Sequence, residues 1–195
     1  MSARIQPFIK LLHQAGLTEP RLLEQMTQAV VFKDLTAGHT LLRAGQRAEH
    51  FYILLKGLCR YYYLGPNGKQ RNKAFFHEGQ WVGSFSAYLR QEPCRYSIEI
   101  LEPSVVACLP LTLVDQHRNA HPEFSALFSR LIEQILLRNE AREAMLLTCD
   151  NPARYRWLCE HEPWLLGRVA QYQLASYLSM DQVSLSRIKR KSPQN

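Results

Sequence analysis

From Val30 to Pro110 the sequence is divided into short runs rich in aromatic and aliphatic residues, with turn residues between them: VVFKDL, TLLRAG, HFYILLKG, CRYYYLGPNGKQ, NKAFFHEGQW and SIEILEPSVVACLP. Runs of this length at this spacing read as many short antiparallel strands, and the fold they allow is a jelly roll or a barrel. Gly65-Pro66-Asn67-Gly68 marks a hairpin tip, because Asn-Gly accepts the positive φ of a tight turn. Tyr61, Tyr62 and Tyr63 read as ordinary strand residues whose alternate rings pack inward, and no ligand role attaches to them.

The flanks have a different period. From Ile5 to about Gln28, Phe8, Leu11, Leu12, Leu22, Leu23 and Met26 recur at helical spacing. Thr18 to Pro20 reads as a cap, since proline is tolerated in a first turn, where no amide donor is needed. At about Leu111 the helical period returns. The stretch EFSALFSRLIEQILLRNEAREAML repeats apolar residues from Phe124 to Met145, with Pro122 near its start and neither Gly nor Pro before Pro152. It predicts one helix of about 25 residues, roughly 38 Å long. Its stripe is too wide and too long for one face of a small barrel. Phe128, Leu131 and Ile135 are therefore expected to face the same helix of a second subunit. Asp150-Asn151-Pro152 is a turn-and-cap sequence that opens a last domain, followed by the short amphipathic helix ARYRWLCEH and a linker from Pro163 to Arg168.

That domain closes on RVAQYQLASYLSMDQVSLSRIKRK, which has the packing pattern of a helix-turn-helix. Ala175 is the small residue where two helices cross. Leu174 and Leu178 form the first helix's core, Met180 fills the corner, and Leu185 and Ile188 face back from the second helix. Asp181 is placed to cap the second helix. The turn holds Ser179 where glycine is common, so a positive φ is expected there at a cost of about 1 kcal/mol. The outer face of the second helix then offers Gln182, Val183, Ser184 and Arg187 to base edges. Arg187 suits guanine, Gln182 adenine and Val183 a thymine methyl, while Lys189, Arg190 and Lys191 suit phosphates.

Charge points to the same end of the chain. Of the net +7, residues 152–195 contribute 7 − 3 = +4 and residues 1–151 contribute 17 − 14 = +3. A hydrophobic fraction of 46% with 21% charged residues is a globular balance. No apolar run approaches the roughly 20 residues that span a bilayer, and the N-terminus lacks a signal peptide, so a cytoplasmic protein is expected. The five cysteines include no C-x-x-C pair, which gives no zinc or redox motif and leaves them as free thiols. No His-x-His, P-loop or nucleophile–base pair occurs, so no enzyme, metal or cofactor is predicted. The alternatives to a DNA-binding protein are a ligand-binding adaptor that acts through protein contacts and, further off, a cupin-like metalloenzyme.

The chain resembles the Crp/Fnr family of bacterial transcription regulators over nearly its whole length. AGHTLLRAGQRAEHFYILLKGLCRYYY resembles the first barrel motif, with Gly38, Leu41, Gly45 and Gly57 in place. FFHEGQWVGSF resembles the strand leading to the ligand loop, and QLASYLSMDQVSLSRI the DNA-binding motif. The resemblance implies an α+β chain in three parts. Residues 1–120 would be a double-stranded β-helix (jelly-roll) sensor domain, 121–149 a dimerisation helix, and 150–195 a helix-turn-helix domain. The implied partners are double-stranded DNA, a second copy of the chain, RNA polymerase and a small-molecule effector, with no membrane contact. Two recognition helices about 34 Å apart would read a two-fold-related site. The effector pocket would gather Gly83, Ser84, Phe85, Arg95 and Ser97. Cyclic-nucleotide binders have Gly-Glu in that loop, where Glu holds the ribose, and an Arg followed by Ser or Thr at the phosphate. Here Ser84 follows Gly83 and Tyr96 follows Arg95, so a cyclic nucleotide held by the usual motif is not expected. The iron–sulfur version needs clustered N-terminal cysteines, whereas the first here is Cys59, and His39, His50, His77, His117 and His121 read as surface or hydrogen-bonded residues. The stretch between His161 and Arg168 is also too short for the β-hairpin wing of many relatives.

Overall fold

The structure is a computed structural model that describes Ser2–Lys191. Eight strands are formed among the described residues: β1 (Val31–Leu35), β2 (Thr40–Leu42), β3 (His50–Lys56), β4 (Cys59–Leu64), β5 (Gln70–Phe76), β6 (Trp81–Val82), β7 (Ser97–Ile100) and β8 (Ser104–Pro110). They build two four-stranded sheets of order β1-β8-β3-β6 and β2-β7-β4-β5. β8 pairs antiparallel with β1 from Val31↔Cys108 to Leu35↔Ser104, and with β3 from His50↔Pro110 onward. Strands far apart in sequence thus alternate between two sheets, which is the jelly-roll arrangement the short runs predict.

The turn between β4 and β5 closes with Gly68 N–H donating to the Gly65 carbonyl (3.0 Å) and Gly65 N–H to the Lys69 carbonyl (2.9 Å). The positive φ falls on Gly68 (75°), and Asn67 instead accepts from the Lys69 amide (3.2 Å).

The helices are α1 (Ser2–Gln14), α2 (Pro20–Ala29), α3 (Phe85–Arg90), α4 (Leu111–Ala120), α5 (Pro122–Thr148), α6 (Asn151–His161), α7 (Gln171–Tyr177) and α8 (Gln182–Lys191). α2 starts at Pro20 as expected, but no side chain of its own caps it. The carboxylate of Glu123, on the first turn of α5, accepts from the Thr18 and Glu19 amides at 2.7 and 3.0 Å and from the Thr18 hydroxyl at 2.7 Å. These bonds, the Thr18 hydroxyl first, hold Glu123 below the usual carboxylate range.

The first half of α5 belongs to the core of the barrel. The Phe128 ring lies 5.5 Å from Phe85, 5.4 Å from Tyr88 and 6.1 Å from Phe51, and Phe124 lies 6.3 Å from Trp81. Burying each such ring stabilises the fold by about 1.5–3 kcal/mol. This corrects one expectation: Phe128 is only 2% exposed within its own chain, so it is not open to a second subunit. Leu131 and Ile135 are half-buried.

Two compact units result. One comprises residues up to Tyr61 together with Phe75–Gln134, the other Tyr62–Ala74 together with residues from Ile135 onward. The division falls within α5 rather than at positions 120 and 149, because the outer part of the β4–β5 hairpin hydrogen-bonds to the later helices. From Glu162 to Ala170 the chain makes a 3-10 turn (Pro163–Leu165) and a loop, with no strand. Among the described residues no helix is long and apolar enough to cross a membrane.

Candidate nucleic-acid interface and barrel interior

The corner between α7 and α8 is built by hydrogen bonds that the sequence dictates locally. Met180 N–H donates to the Ala175 carbonyl (3.0 Å) and Ser179 N–H to the Ser176 carbonyl (3.2 Å), with Ser179 at φ 52°. This is a Schellman ending in which serine takes the left-handed position usually held by glycine. Ala175, Leu174, Leu178 and Leu185 are buried at the crossing, whereas Met180 and Ile188 are half-buried. Asp181 begins α8 by accepting from the Ser184 amide and hydroxyl, both at 2.7 Å. The Ser184 hydroxyl is the first cause of the lowered pKa of Asp181.

The outward face of α8 carries Gln182, Val183, Arg187, Arg190 and Lys191 exposed, with Val183 at 59%. Lys189 is half-buried. Ser184 differs from expectation, since its hydroxyl proton is committed to Asp181 and is not offered outward. Lys189, Arg190 and Lys191 form the last turn, where a helix terminus favours positive charge.

A polar network behind this corner has no counterpart in the sequence reading. Arg154 donates to four carbonyls: Cys149 (3.0 Å), Leu146 (2.8 Å), Leu178 (3.1 Å) and Ser179 (3.2 Å). One guanidinium thereby ties the end of α5 to the end of α7. Arg142 donates to the Tyr177 carbonyl (2.7 Å) and the Asn72 carbonyl (3.3 Å), with its guanidinium 4.5 Å over the Tyr177 ring. Arg138 pairs with buried Glu162 at 2.9 Å. The β4–β5 hairpin joins in: the Asn72 amide donates to Ser176 Oγ (3.0 Å), the Asn72 side chain to the Gln173 carbonyl (2.9 Å), and Ser176 Oγ to the Gln70 carbonyl (3.3 Å). The hint in the sequence was the i, i+4 spacing of Arg138 and Arg142, which sets both on the side of α5 that carries Leu131 and Ile135.

In the barrel, Gly83, Ser84, Phe85, Arg95 and Ser97, expected to gather in an effector pocket, are engaged with separate partners among the described residues. Phe85 is buried 4.5 Å from Phe51. Ser84 caps α3 by accepting from Ala87 N–H, and Ser97 Oγ accepts from the Ala44 amide at 3.0 Å. Arg95 is 76% exposed and pairs with Glu92 at 3.6 Å, so its charge faces solvent. Gly83 is crowded, since a Cβ there would come within 2.3 Å of the Phe51 ring. Its amide donates to the Tyr61 hydroxyl at 2.6 Å, and its carbonyl accepts from the hydroxyls of Tyr61 (3.0 Å) and Tyr96 (3.3 Å). The Tyr61 ring stacks on Phe76 at 4.4 Å and on Tyr96 at 5.0 Å.

Two sheets with α3 set between β6 and β7 are the frame of a known module. Residues 32–120 match the cyclic nucleotide-binding domain. Among curated proteins the chain is similar to lysophospholipase nte1 of Aspergillus niger, with 26% identity over 115 residues, 59% of this chain and 7% of that protein. The chain thus spans less than a tenth of that relative's length. Among solved structures it is similar to FixK2 from Bradyrhizobium japonicum (TM-score 0.75, 16% identity, 83% of each chain). It is also similar to the c-di-GMP responsive global regulator CLP of Xanthomonas campestris (TM-score 0.73, 15% identity, 89% of this chain and 91% of that one). At these identities the likeness is one of fold.

Two cavities lie within the segment matched to the cyclic nucleotide-binding domain. One of about 370 Å³ is lined by Leu41, Arg47, Glu49, His50 and Tyr52 among others, and another of about 410 Å³ by Arg47, Tyr88, Gln91 and Asp115 among others. Burial is the first cause that pushes Tyr52 up to about 12 and lowers His50. Beyond the domain, α5 leaves Leu136, Leu137 and Leu147 exposed. Leu136 and Leu147 are about three turns apart and share a side of the helix away from Leu131 and Ile135.

Proposed function

We propose that the chain is a dimeric, sequence-specific DNA-binding regulator of the Crp/Fnr type, acting in the cytoplasm. Its cyclic nucleotide-binding domain serves as the regulatory body, and α8 as the recognition helix. The observation that carries this reading is the Asp181-capped α8, which leaves Gln182, Val183 and Arg187 exposed above a basic last turn. Arg187 has the donor fork for guanine O6 and N7, and Gln182 the donor–acceptor pair for adenine. Lys189, Arg190 and Lys191 suit phosphate oxygens. Dimerisation through the exposed leucines of α5 would give two such helices and a two-fold-related site. Likeness of fold to regulators such as CLP lends support.

The test is selection of bound sequences from random duplexes, followed by titration at several salt concentrations. Selected sites should show paired half-sites, and log affinity should fall linearly with log salt. Arg187→Ala should cost about 1–3 kcal/mol on the selected site and blunt preference at one base position. Failure to enrich any sequence, or an unchanged ratio of selected to random binding in Arg187→Ala, would overturn the reading.

A further inference from the structure

The position where a ligand would meet Gly83 is filled by the chain's own side chains. The Gly83 amide, which a ligand loop would present, already donates to the Tyr61 hydroxyl at 2.6 Å. The Gly83 carbonyl accepts from Tyr61 and from Tyr96, the residue standing where the binders carry a Ser or Thr after the arginine. Ser84 is spent on the α3 cap, Ser97 on the Ala44 amide, and Arg95 is turned to solvent beside Glu92. Tyr61 is 3% and Tyr96 7% exposed, and both belong to one aromatic stack with Phe76. A planar ring held by stacking and anchored through a hydroxyl to a glycine backbone offers the contacts a bound aromatic ligand would make.

We propose that Tyr61 is the built-in occupant of this domain's ligand position, so that no cyclic nucleotide enters and the domain keeps its form without an effector. For a nucleotide to bind at Gly83, the Tyr61 ring would have to leave both stacking partners and surrender two hydrogen bonds, with Arg95 brought in from solvent. The inference rests on the match of residues 32–120 to the cyclic nucleotide-binding domain and does not depend on the DNA-binding reading.

The experiment uses the full chain in thermal melts and calorimetric titrations. Cyclic AMP and cyclic GMP, taken to millimolar concentration, should give neither binding heat nor a melting shift with wild type. Tyr61→Gly should melt lower and leave a ring-shaped cavity. Added p-cresol, which supplies the missing ring and hydroxyl, should raise the melting temperature of Tyr61→Gly by several degrees through mass action and leave wild type unchanged. Tyr61→Phe keeps the stack without the hydroxyl; it should melt between the two and still refuse both nucleotides. Micromolar binding of either nucleotide to wild type overturns the proposal, as does an equal response to p-cresol in wild type and Tyr61→Gly. If Tyr61→Gly does not fold, the nucleotide titrations of wild type and Tyr61→Phe decide the matter. None of these readouts involves DNA, so a failure here is separate from a failure of the regulator reading.

Discussion

His117, in the last turn of α4, corrects the expectation of a surface or hydrogen-bonded histidine: it is 1% exposed, and among the described residues neither ring nitrogen has a hydrogen-bond partner. Its ring lies 5.3 Å from His121 and 5.8 Å from Phe124, and His121 in turn bonds Glu19 at 2.7 Å. Burial first, then the neighbouring His121, lowers the His117 pKa below 6.5, against the pull of Glu19. The folded chain therefore binds fewer protons than the unfolded chain just below that pH, and stability should fall as pH drops through the usual imidazole range. His117→Phe should flatten a plot of melting temperature against pH in that window. It should leave the lower-pH loss from Glu123 and Asp181, whose depressed pKa values stabilise the fold only while the carboxylates are charged. Ser179 offers a second test. Its left-handed backbone is a position where glycine is free of strain, so Ser179→Gly should gain about 1 kcal/mol, a few degrees in a melt. A loss would mean that the serine side chain stabilises the corner by more than the backbone strain costs.

Among elements, the join of α5, α6 and α7 depends on Arg154. Its bonds to carbonyls at two helix ends satisfy acceptors that helices leave open at their C-termini. Lysine has the charge but not the planar fork, so Arg154→Lys and Arg154→Ala should both destabilise, the alanine variant by about 2 kcal/mol or more in denaturant titration. Equal stability of wild type and Arg154→Lys would show that charge alone suffices. The elements differ in how far the sequence discloses them. The corner was legible because Ala175, Ser179 and Asp181 act within a few residues of themselves. The long helix was legible because apolar residues recur at helical spacing from Phe124 and neither Gly nor Pro interrupts the stretch before Pro152. α3, six residues long, is too short to show a period. The bonds between Asn72 and α7 join residues about a hundred positions apart, and such pairing leaves no local trace.

At the scale of the molecule, the α5 pattern announced an apolar stripe but not which residues its own barrel would cover. Phe128 went to the interior, and the exposed leucines of the helix are Leu136, Leu137 and Leu147. On the dimeric DNA-binding reading proposed above, replacing Leu136 and Leu147 by Glu should convert a dimer to a monomer in sedimentation and weaken DNA binding by about a hundredfold through lost bivalency. A dimer that survives both changes would place the interface elsewhere. The barrel followed the same logic. Alternation told that alternate rings of Tyr61, Tyr62 and Tyr63 pack inward, yet neither which of them do nor that the Tyr61 hydroxyl would find Gly83, because the spacing of 22 residues between them carries no period. The Arg154 clasp bears on any attempt to use this protein piecemeal. A fragment cut at Asp150 would leave behind the Leu146 and Cys149 carbonyls, Arg138 and Arg142, and with them half of the fastening that holds the corner square. A transplanted α6–α8 segment would therefore have to travel with the back half of α5 and the outer hairpin, or be redesigned to do without them.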